Sequence, residues 1–262
     1  MVELCGGIAT GLEAAIKAGL SIASYTWADI DPDAHTTTAH RLTRLQSRHP
    51  LLLTAEATNG WDTRLPMDAR TITPALFTQA FPEEVDIITT SPPMLTQHLP
   101  RTPRGNGQPT HATLQQIHRL IRHLASTQKG GIGFIWDTPV RSPLPAHIIA
   151  MAGPSTVLNA PKCGSGAHRP TRIWQNMLPK ETLDDAYANL VDPRQTVDDI
   201  LKSAGLRAWH TPTKDTLTTL GTPYTTLLRF GTGPTPPPAG RIHRRYTDRP
   251  LIEGRNPDIT LS

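Results

Sequence analysis

An α/β fold, a mostly parallel sheet with helices on both faces, is what this sequence predicts, and three observations carry the prediction. Short apolar strands alternate with helical stretches over residues 1 to about 180, the pattern of parallel strands joined by helical crossovers. The first strand runs directly into the glycine-bearing loop Gly6-Gly7-Ile8-Ala9-Thr10-Gly11 and an Ala- and Leu-bearing helix. The second ends on Asp29-Ile30-Asp31, roughly 20 residues further on, where folds of this kind place a carboxylate for a nucleotide-type ligand.

Taken in order, the strands are expected near 1–5, 24–28, 85–90, 131–137, 155–160 and 171–177, with a late one at 223–230. Val2-Glu3-Leu4-Cys5 and Tyr25-Thr26-Trp27-Ala28 are the apolar runs that define the first two. Helices are expected at 11–19, 32–46, 74–80, 112–126 and 195–204. Either Asp29 or Asp31 can cap the second helix. The last helix has Asp192-Pro193 as a start signal and Gly205 as a stop. From Gly231 the chain turns to Gly-Thr-Gly-Pro-Thr-Pro-Pro-Pro, followed by the arginine-rich segment Arg241 to Arg249. Residues 231–262 therefore read as a Pro-rich linker and a basic, solvated tail.

With 262 residues, 37% of them hydrophobic, the chain has the material for one α/β domain with a sizeable core. No apolar run reaches membrane-spanning length and no signal-peptide pattern opens the chain, so an intracellular protein that does not enter a membrane is expected, nuclear in a eukaryote. Cys5 and Cys163 give neither a disulfide framework nor zinc-ligand spacing, and no metal is indicated. The net charge of +4 permits contact with nucleic acid without identifying a partner.

Glycines let a backbone approach a ligand closely, and an open α/β sheet binds at the carboxyl ends of its strands. The glycine loop with Asp29 therefore favours a nucleoside-containing cofactor, Asp29 accepting from ribose hydroxyls. The alternative for Asp29 is a plain helix cap.

Leu4-Cys5-Gly6-Gly7-Ile8-Ala9-Thr10-Gly11, then Lys17-Ala18-Gly19-Leu20 and Tyr25 to Asp29, resembles the first two motifs of DNA cytosine-5 methyltransferases, in particular the eukaryotic de novo type. Met67-Asp68-Ala69-Arg70-Thr71-Ile72-Thr73 is similar to that family's third motif. The resemblance implies a Rossmann-like, S-adenosylmethionine-dependent methyltransferase fold over residues 1–230, with the motifs in 1–180 and a reduced carboxyl-terminal part at 181–230. It implies a pocket for S-adenosyl-L-methionine or S-adenosyl-L-homocysteine formed by Leu4, Gly6, Gly7, Ile8, Ala9, Thr10, Gly11, Asp29, Ile30, Asp68, Ala69 and Ser91, with Asp68 meeting the adenine amine. Leu4 stands where the family usually has an aromatic residue, and Cys5 beside it is expected to act as a small hydrophobe.

The reacting half departs from the family. There, a cysteine thiolate adds to C6 of a flipped cytosine, from a loop after the fourth-motif strand. Here that strand, Asp86-Ile87-Ile88-Thr89-Thr90, leads to Ser91-Pro92-Pro93-Met94, and the cysteine position falls on Met94 or, with a one-residue shift, on Pro93. A thioether has no proton to lose and cannot supply a thiolate. Asp137, in Phe134 to Val140, matches the family's base-binding glutamate with one methylene fewer. Ser165 to Pro179 resembles the eighth motif; Arg169 matches its first arginine, while the second falls on Thr171 with Arg172 displaced by one, onto the opposite face of a strand. Leu95 to Gly107, with Arg101 and Arg104, fits either a mobile basic lid or a solvated loop.

Three readings follow from these residues. The first is a methyltransferase-like domain that binds the cofactor and lacks the covalent step, either degenerate or regulatory; DNA, an active methyltransferase partner and a parent polyprotein are its expected associations. The second is an amino-methyltransferase using Ser91-Pro92-Pro93-Met94, a core that in such enzymes holds an exocyclic amine and ends in an aromatic residue. The third is a cytosine-5 enzyme with its nucleophile relocated to Cys163. The abrupt start at a core strand also leads us to expect a domain cut from a longer polypeptide.

Overall fold

A computed structural model describes residues 1–83, 85–92, 109–127, 132–139, 150, 155–159, 170–178, 180–190, 195–205 and 222–230. Six strands, β1 (Val2–Leu4), β2 (Thr26–Ala28), β3 (Ile87–Thr90), β4 (Gly133–Pro139), β5 (Thr156–Asn159) and β6 (Pro170–Gln175), form one sheet in the order β2-β1-β3-β4-β6-β5. β2, β1, β3 and β4 run parallel, while β6 is antiparallel to both β4 and β5. The fold is thus a Rossmann-like α/β fold, as the alternation of elements predicts.

Alternate residues of each strand feed two separate cores, which is the period of two at work. Glu3 and Trp27 face one side; Val2, Leu4, Ala28 and Ile88 face the other. Helices α1 (Thr10–Lys17), α2 (Pro32–Arg48), α5 (Lys180–Ala188), α6 (Val197–Ser203) and α7 (Thr222–Phe230) cover the first side; α3 (Pro74–Ala80) and α4 (Pro109–Thr127) cover the second. α4 shows why: Leu114, Ile117, Leu120, Ile121 and Leu124 recur every three or four residues and are all buried. Each such side chain contributes about 1.5–3 kcal/mol of transfer free energy.

Two elements differ from expectation. Residues 222–230 form helix α7, where Thr, Tyr and Phe favour a strand by local propensity. Burial of Leu227, Leu228 and Phe230 against α1 overrides that propensity. Helix α5 has no counterpart among the expected elements; its single clear anchor pair, Leu183 and Ala186, is too short a pattern to stand out. α6 falls within the expected 195–204, with Thr196 as its N-cap: the side chains of Thr196 and Asp199 form a reciprocal capping box, while Asp192-Pro193 lies outside the described residues. The expected stop holds, with Gly205 at φ 84°.

The turn after β6 is stitched by side chains. Asn176 Oδ1 accepts from the Phe134 N–H at 2.8 Å and its amide donates to the Ile132 carbonyl at 2.7 Å, so one asparagine satisfies both backbone groups at the entry of β4. Among the described residues no helix is long and apolar enough to cross a membrane.

Candidate cofactor site

β1 lies between β2 and β3, so the sheet order reverses beside it, and the carboxyl ends of β1 and β3 form the switch point at which open α/β sheets bind their ligands. Register fixes what meets there. Leu4 pairs with Ala28 on one side and Thr90 on the other, so Cys5, Asp29 and Ser91 all leave from one edge of the sheet.

The glycine loop is held in an uncommon conformation. Cys5 (φ 51°), Gly7 (φ 50°) and Ala9 (φ 57°) all occupy the left-handed region, which costs a non-glycine residue roughly 1–2 kcal/mol. Cross-links hold it there. The Gly7 N–H donates to Asp29 Oδ2 at 2.9 Å, and the Gly7 carbonyl accepts from Trp27 Nε1 at 3.2 Å and Thr38 Oγ1 at 2.9 Å. Two non-glycine outliers in one five-residue turn mark it as a place where backbone shape matters more than local strain.

The three glycines have different reasons. At Gly6 an added Cβ would stand 2.5 Å from Trp27 Nε1, inside the indole; at Gly11 it would overlap Thr89 Oγ1 and lie 2.8 Å from Glu3 Oε1. Both are required by the chain's own packing. Gly7 alone faces open space, with nothing within 4 Å. It is the open face of Gly7 that leaves room for a ligand.

Beneath the loop sits a buried polar group that composition does not reveal. Glu3 Oε1 accepts from the Gly11 N–H at 2.7 Å, and Oε2 accepts from the Leu12 N–H at 3.1 Å and the Tyr25 hydroxyl at 2.8 Å. Two donors in the first turn of α1, which its own N-cap residue Ala9 leaves uncapped, are thereby satisfied. Arg41 of α2 forms a buried ion pair with Glu13 of α1 close by. Trp27 is wedged in turn by Trp61, at 5.3 Å between ring centroids, and by His35, which stacks on Trp61 and hydrogen-bonds Asp62 at 2.8 Å. Glu3, Tyr25, Trp27, Thr38 and Arg41 all escape the sequence reading. The one signal available is a carboxylate in the middle of an apolar strand.

The expected cofactor residues divide by position. Asp29 lies at the edge with both carboxylate oxygens engaged, Oδ2 by Gly7 and Oδ1 by the Asp31 N–H at 3.0 Å. Since a carboxylate offers about four acceptor sites, hydroxyls can still reach it. Asp31, not Asp29, caps α2, accepting from the Asp33 N–H. Burial pushes the Cys5 thiol up to about 12, with Asp29 and then Asp68 adding to the rise, so the three residues share one neighbourhood. A thiol so held is no nucleophile. Asp68 caps the short turn Ala69–Thr71 and is gripped by the Arg70 guanidinium, which holds its carboxyl below the usual range. Ile30 is 63% exposed and Met67 is 39% exposed. Leu4 and Ala69 are buried in the second core, where they form floor rather than lining. Ile8 and Thr10 are half-buried, and Ser91 is exposed at the end of β3.

Where β4 meets β6, Asp137 pairs with Ile173, and Arg172 pairs with Thr138. Residues opposite one another in an antiparallel pair share a face, so Asp137 and Arg172 project to opposite faces. Thr171, two residues from Ile173 on the same strand, shares the face of Asp137. Pro93, Met94, Leu95 to Gly107, Cys163, Arg169 and the tail 231–262 lie outside the described residues. Among the described residues, no group of three or more His, Cys, Asp and Glu side chains is arranged to hold a metal ion.

No family model and no curated protein sequence matches this chain. Among solved structures it is similar to the S. pombe Dnmt2 methyltransferase, at 15% identity and a TM-score of 0.45, over 74% of this chain and 55% of that one. It is also similar to the rRNA methyltransferase aviRa from Streptomyces viridochromogenes, at 13% identity and a TM-score of 0.31, over 66% of this chain and 75% of that one. The chain thus spans little more than half the length of the Dnmt2 chain. At such identities these names describe those proteins, and what this chain does has to be read from its own residues.

Proposed function

We propose that this chain is a cytosine-5 methyltransferase-like domain that holds S-adenosyl-L-methionine or S-adenosyl-L-homocysteine and does not carry out covalent cytosine methylation, acting as a degenerate or regulatory companion of an active enzyme on DNA. The observation that carries the cofactor half is the strained loop at the β1/β3 edge, tied to Asp29 and open on the Gly7 side. A nucleoside fits what stands there. Asp29 has acceptor capacity left for ribose hydroxyls, Ile30 offers exposed apolar surface, and Asp68 would receive an adenine amine once Arg70 gives way. When bound, the cofactor supplies an electrophilic methyl group. The chain's own part is to fix the ligand by a preformed loop, which costs little ordering on binding.

The second half rests on composition at the nucleophile position. Neither Met94 nor Pro93 carries a thiol, and a thiolate is what adds to C6. We predict that the chain, given labelled S-adenosylmethionine with DNA or RNA, leaves no label on cytosine C5. Label at C5 that disappears in Cys163→Ser would replace this reading with the relocated nucleophile. Label on an exocyclic amine would move it to the Ser91-Pro92-Pro93-Met94 chemistry.

A further inference from the structure

Helix α2 turns Ala34, Thr38, Arg41, Leu42 and Leu45 inward. Its outward face is unlike an ordinary mixed-charge surface. His40, Arg44 and Arg48 recur at every fourth residue and are exposed, as are Thr36, Thr43 and Ser47. Asp33 in the first turn is the helix's sole acid, and none follows from residue 34 to 48. Arg41, Arg70 and Arg229 each close on a carboxylate, those of Glu13, Asp68 and Asp198. Arg44 and Arg48 close on none among the described residues. The Arg44 charge is felt locally: burial lowers the Arg41 guanidinium from its ordinary value and Arg44 adds to the fall, with Glu3 opposing.

We propose that this face of α2 docks the sugar-phosphate backbone of a nucleic acid. The two guanidinium groups of Arg44 and Arg48 stand one turn apart, about 6 Å along the helix axis, and with the His40 imidazole the stripe spans about 12 Å. A nucleic-acid strand in a duplex carries about one phosphate per 3.4 Å of axis, so the stripe lies along three or four charges of a continuous line. The short Thr43 and Ser47 side chains beside the arginines leave room for phosphate oxygens, and while the Thr43 hydroxyl donates to the Ala39 carbonyl, that of Ser47 can donate to a phosphate. An anionic membrane is a poorer partner, because α2 presents none of the exposed large apolar residues, Ile30, Leu51, Met67 and Val157, that would anchor in a bilayer. An acidic protein is poorer too, since a protein interface needs an apolar centre. Phosphate contacts read no bases, so this surface anchors without selecting sequence. The proposal stands apart from the cofactor reading, because it needs no nucleoside in the pocket.

The test is fluorescence anisotropy of a duplex DNA of arbitrary sequence, titrated with the full chain across a salt series. Wild type is compared with Arg44→Ala/Arg48→Ala and with Arg119→Ala/Arg122→Ala, the latter pair exposed on α4 across the sheet. Circular dichroism melts establish that each variant is folded. The α2 variant is expected to bind about tenfold more weakly at low salt and to lose about 2 from the slope of log affinity against log salt, while the α4 variant matches wild type. Equal binding by the α2 variant and wild type, an equal loss in both variants, or no binding of the duplex by wild type would each overturn the proposal. So would capture by anionic vesicles without capture by the duplex.

Discussion

Replacing Gly6 by alanine is expected to cost about 3 kcal/mol of stability and to weaken binding of the adenosyl cofactor at least tenfold, a loss of about 1.4 kcal/mol or more. The new methyl would enter the indole of Trp27, which cannot retreat. That ring is fully buried, pressed by Trp61 and His35, and its Nε1 donates to the carbonyl of Gly7. Overpacking of this kind costs about 1–3 kcal/mol, and the loss of the Gly7 bond adds about 1. In a chain of this size the sum corresponds to a fall in melting temperature of roughly 6–12 °C. Gly7→Ala is the informative contrast. Nothing lies near its Cβ, so its cost is confined to left-handed strain of about 1–2 kcal/mol. A thermal melt in which Gly7→Ala is the more damaging of the two would refute this account of the loop.

The second large effect is expected at Glu3, and it depends on pH. Burial raises its carboxyl from 4.5 to about 7, against the opposing pull of Tyr25, the Gly11 and Leu12 N–H groups and Arg41. The native state therefore keeps a proton that the unfolded chain has already lost between these values. This contribution to stability is complete below about pH 4.5, shrinks as pH rises, and is lost once pH passes about 7. A gap of that size amounts to about 3 kcal/mol. Glutamine at position 3 cannot titrate, and it offers one acceptor oxygen where three donors converge. Glu3→Gln should thus be the less stable protein at low pH, with the difference from wild type narrowing by about 3 kcal/mol as pH rises toward 8. Urea denaturation at a series of pH values measures it; parallel curves for the two proteins would show that Glu3 does not hold its proton as inferred.

Much of the sheet was legible because its strands are buried on both faces and therefore written as continuous apolar runs, as in Ile87-Ile88 and Phe134-Ile135-Trp136. The edge of the sheet was legible for a related reason. A turn that needs left-handed backbone and close packing restricts residue choice, and Gly6, Gly7 and Gly11 record that restriction. What was hidden depends on partners distant in sequence. Beyond its place in an apolar strand, nothing local shows what Glu3 does until Tyr25, 22 residues away, and the first turn of α1 close over it. Nor does Asp68 announce that Arg70 occupies it, since that grip depends on side-chain conformation. Residues 222–230 misled because β-branched composition and helical burial point opposite ways, and burial against α1 prevailed.

Under the proposed function the departures are one-sided: the loop at the β1/β3 edge, Asp29 and their supports would serve the cofactor, whereas Met94 and Arg172 would fall on the side that handles a base. That asymmetry is what the proposal expects of a domain retained for binding rather than for turnover.

Isothermal titration calorimetry of the full chain with S-adenosylmethionine tests the central claim most directly, with Asp29→Ala as the paired variant. The predicted result is one-to-one binding by wild type, weakened about tenfold or more in Asp29→Ala, because a charged acceptor lost from a hydrogen bond is worth about 1.5–3 kcal/mol. Wild type showing no heat at millimolar cofactor, or binding that the Asp29 substitution leaves untouched, would contradict it.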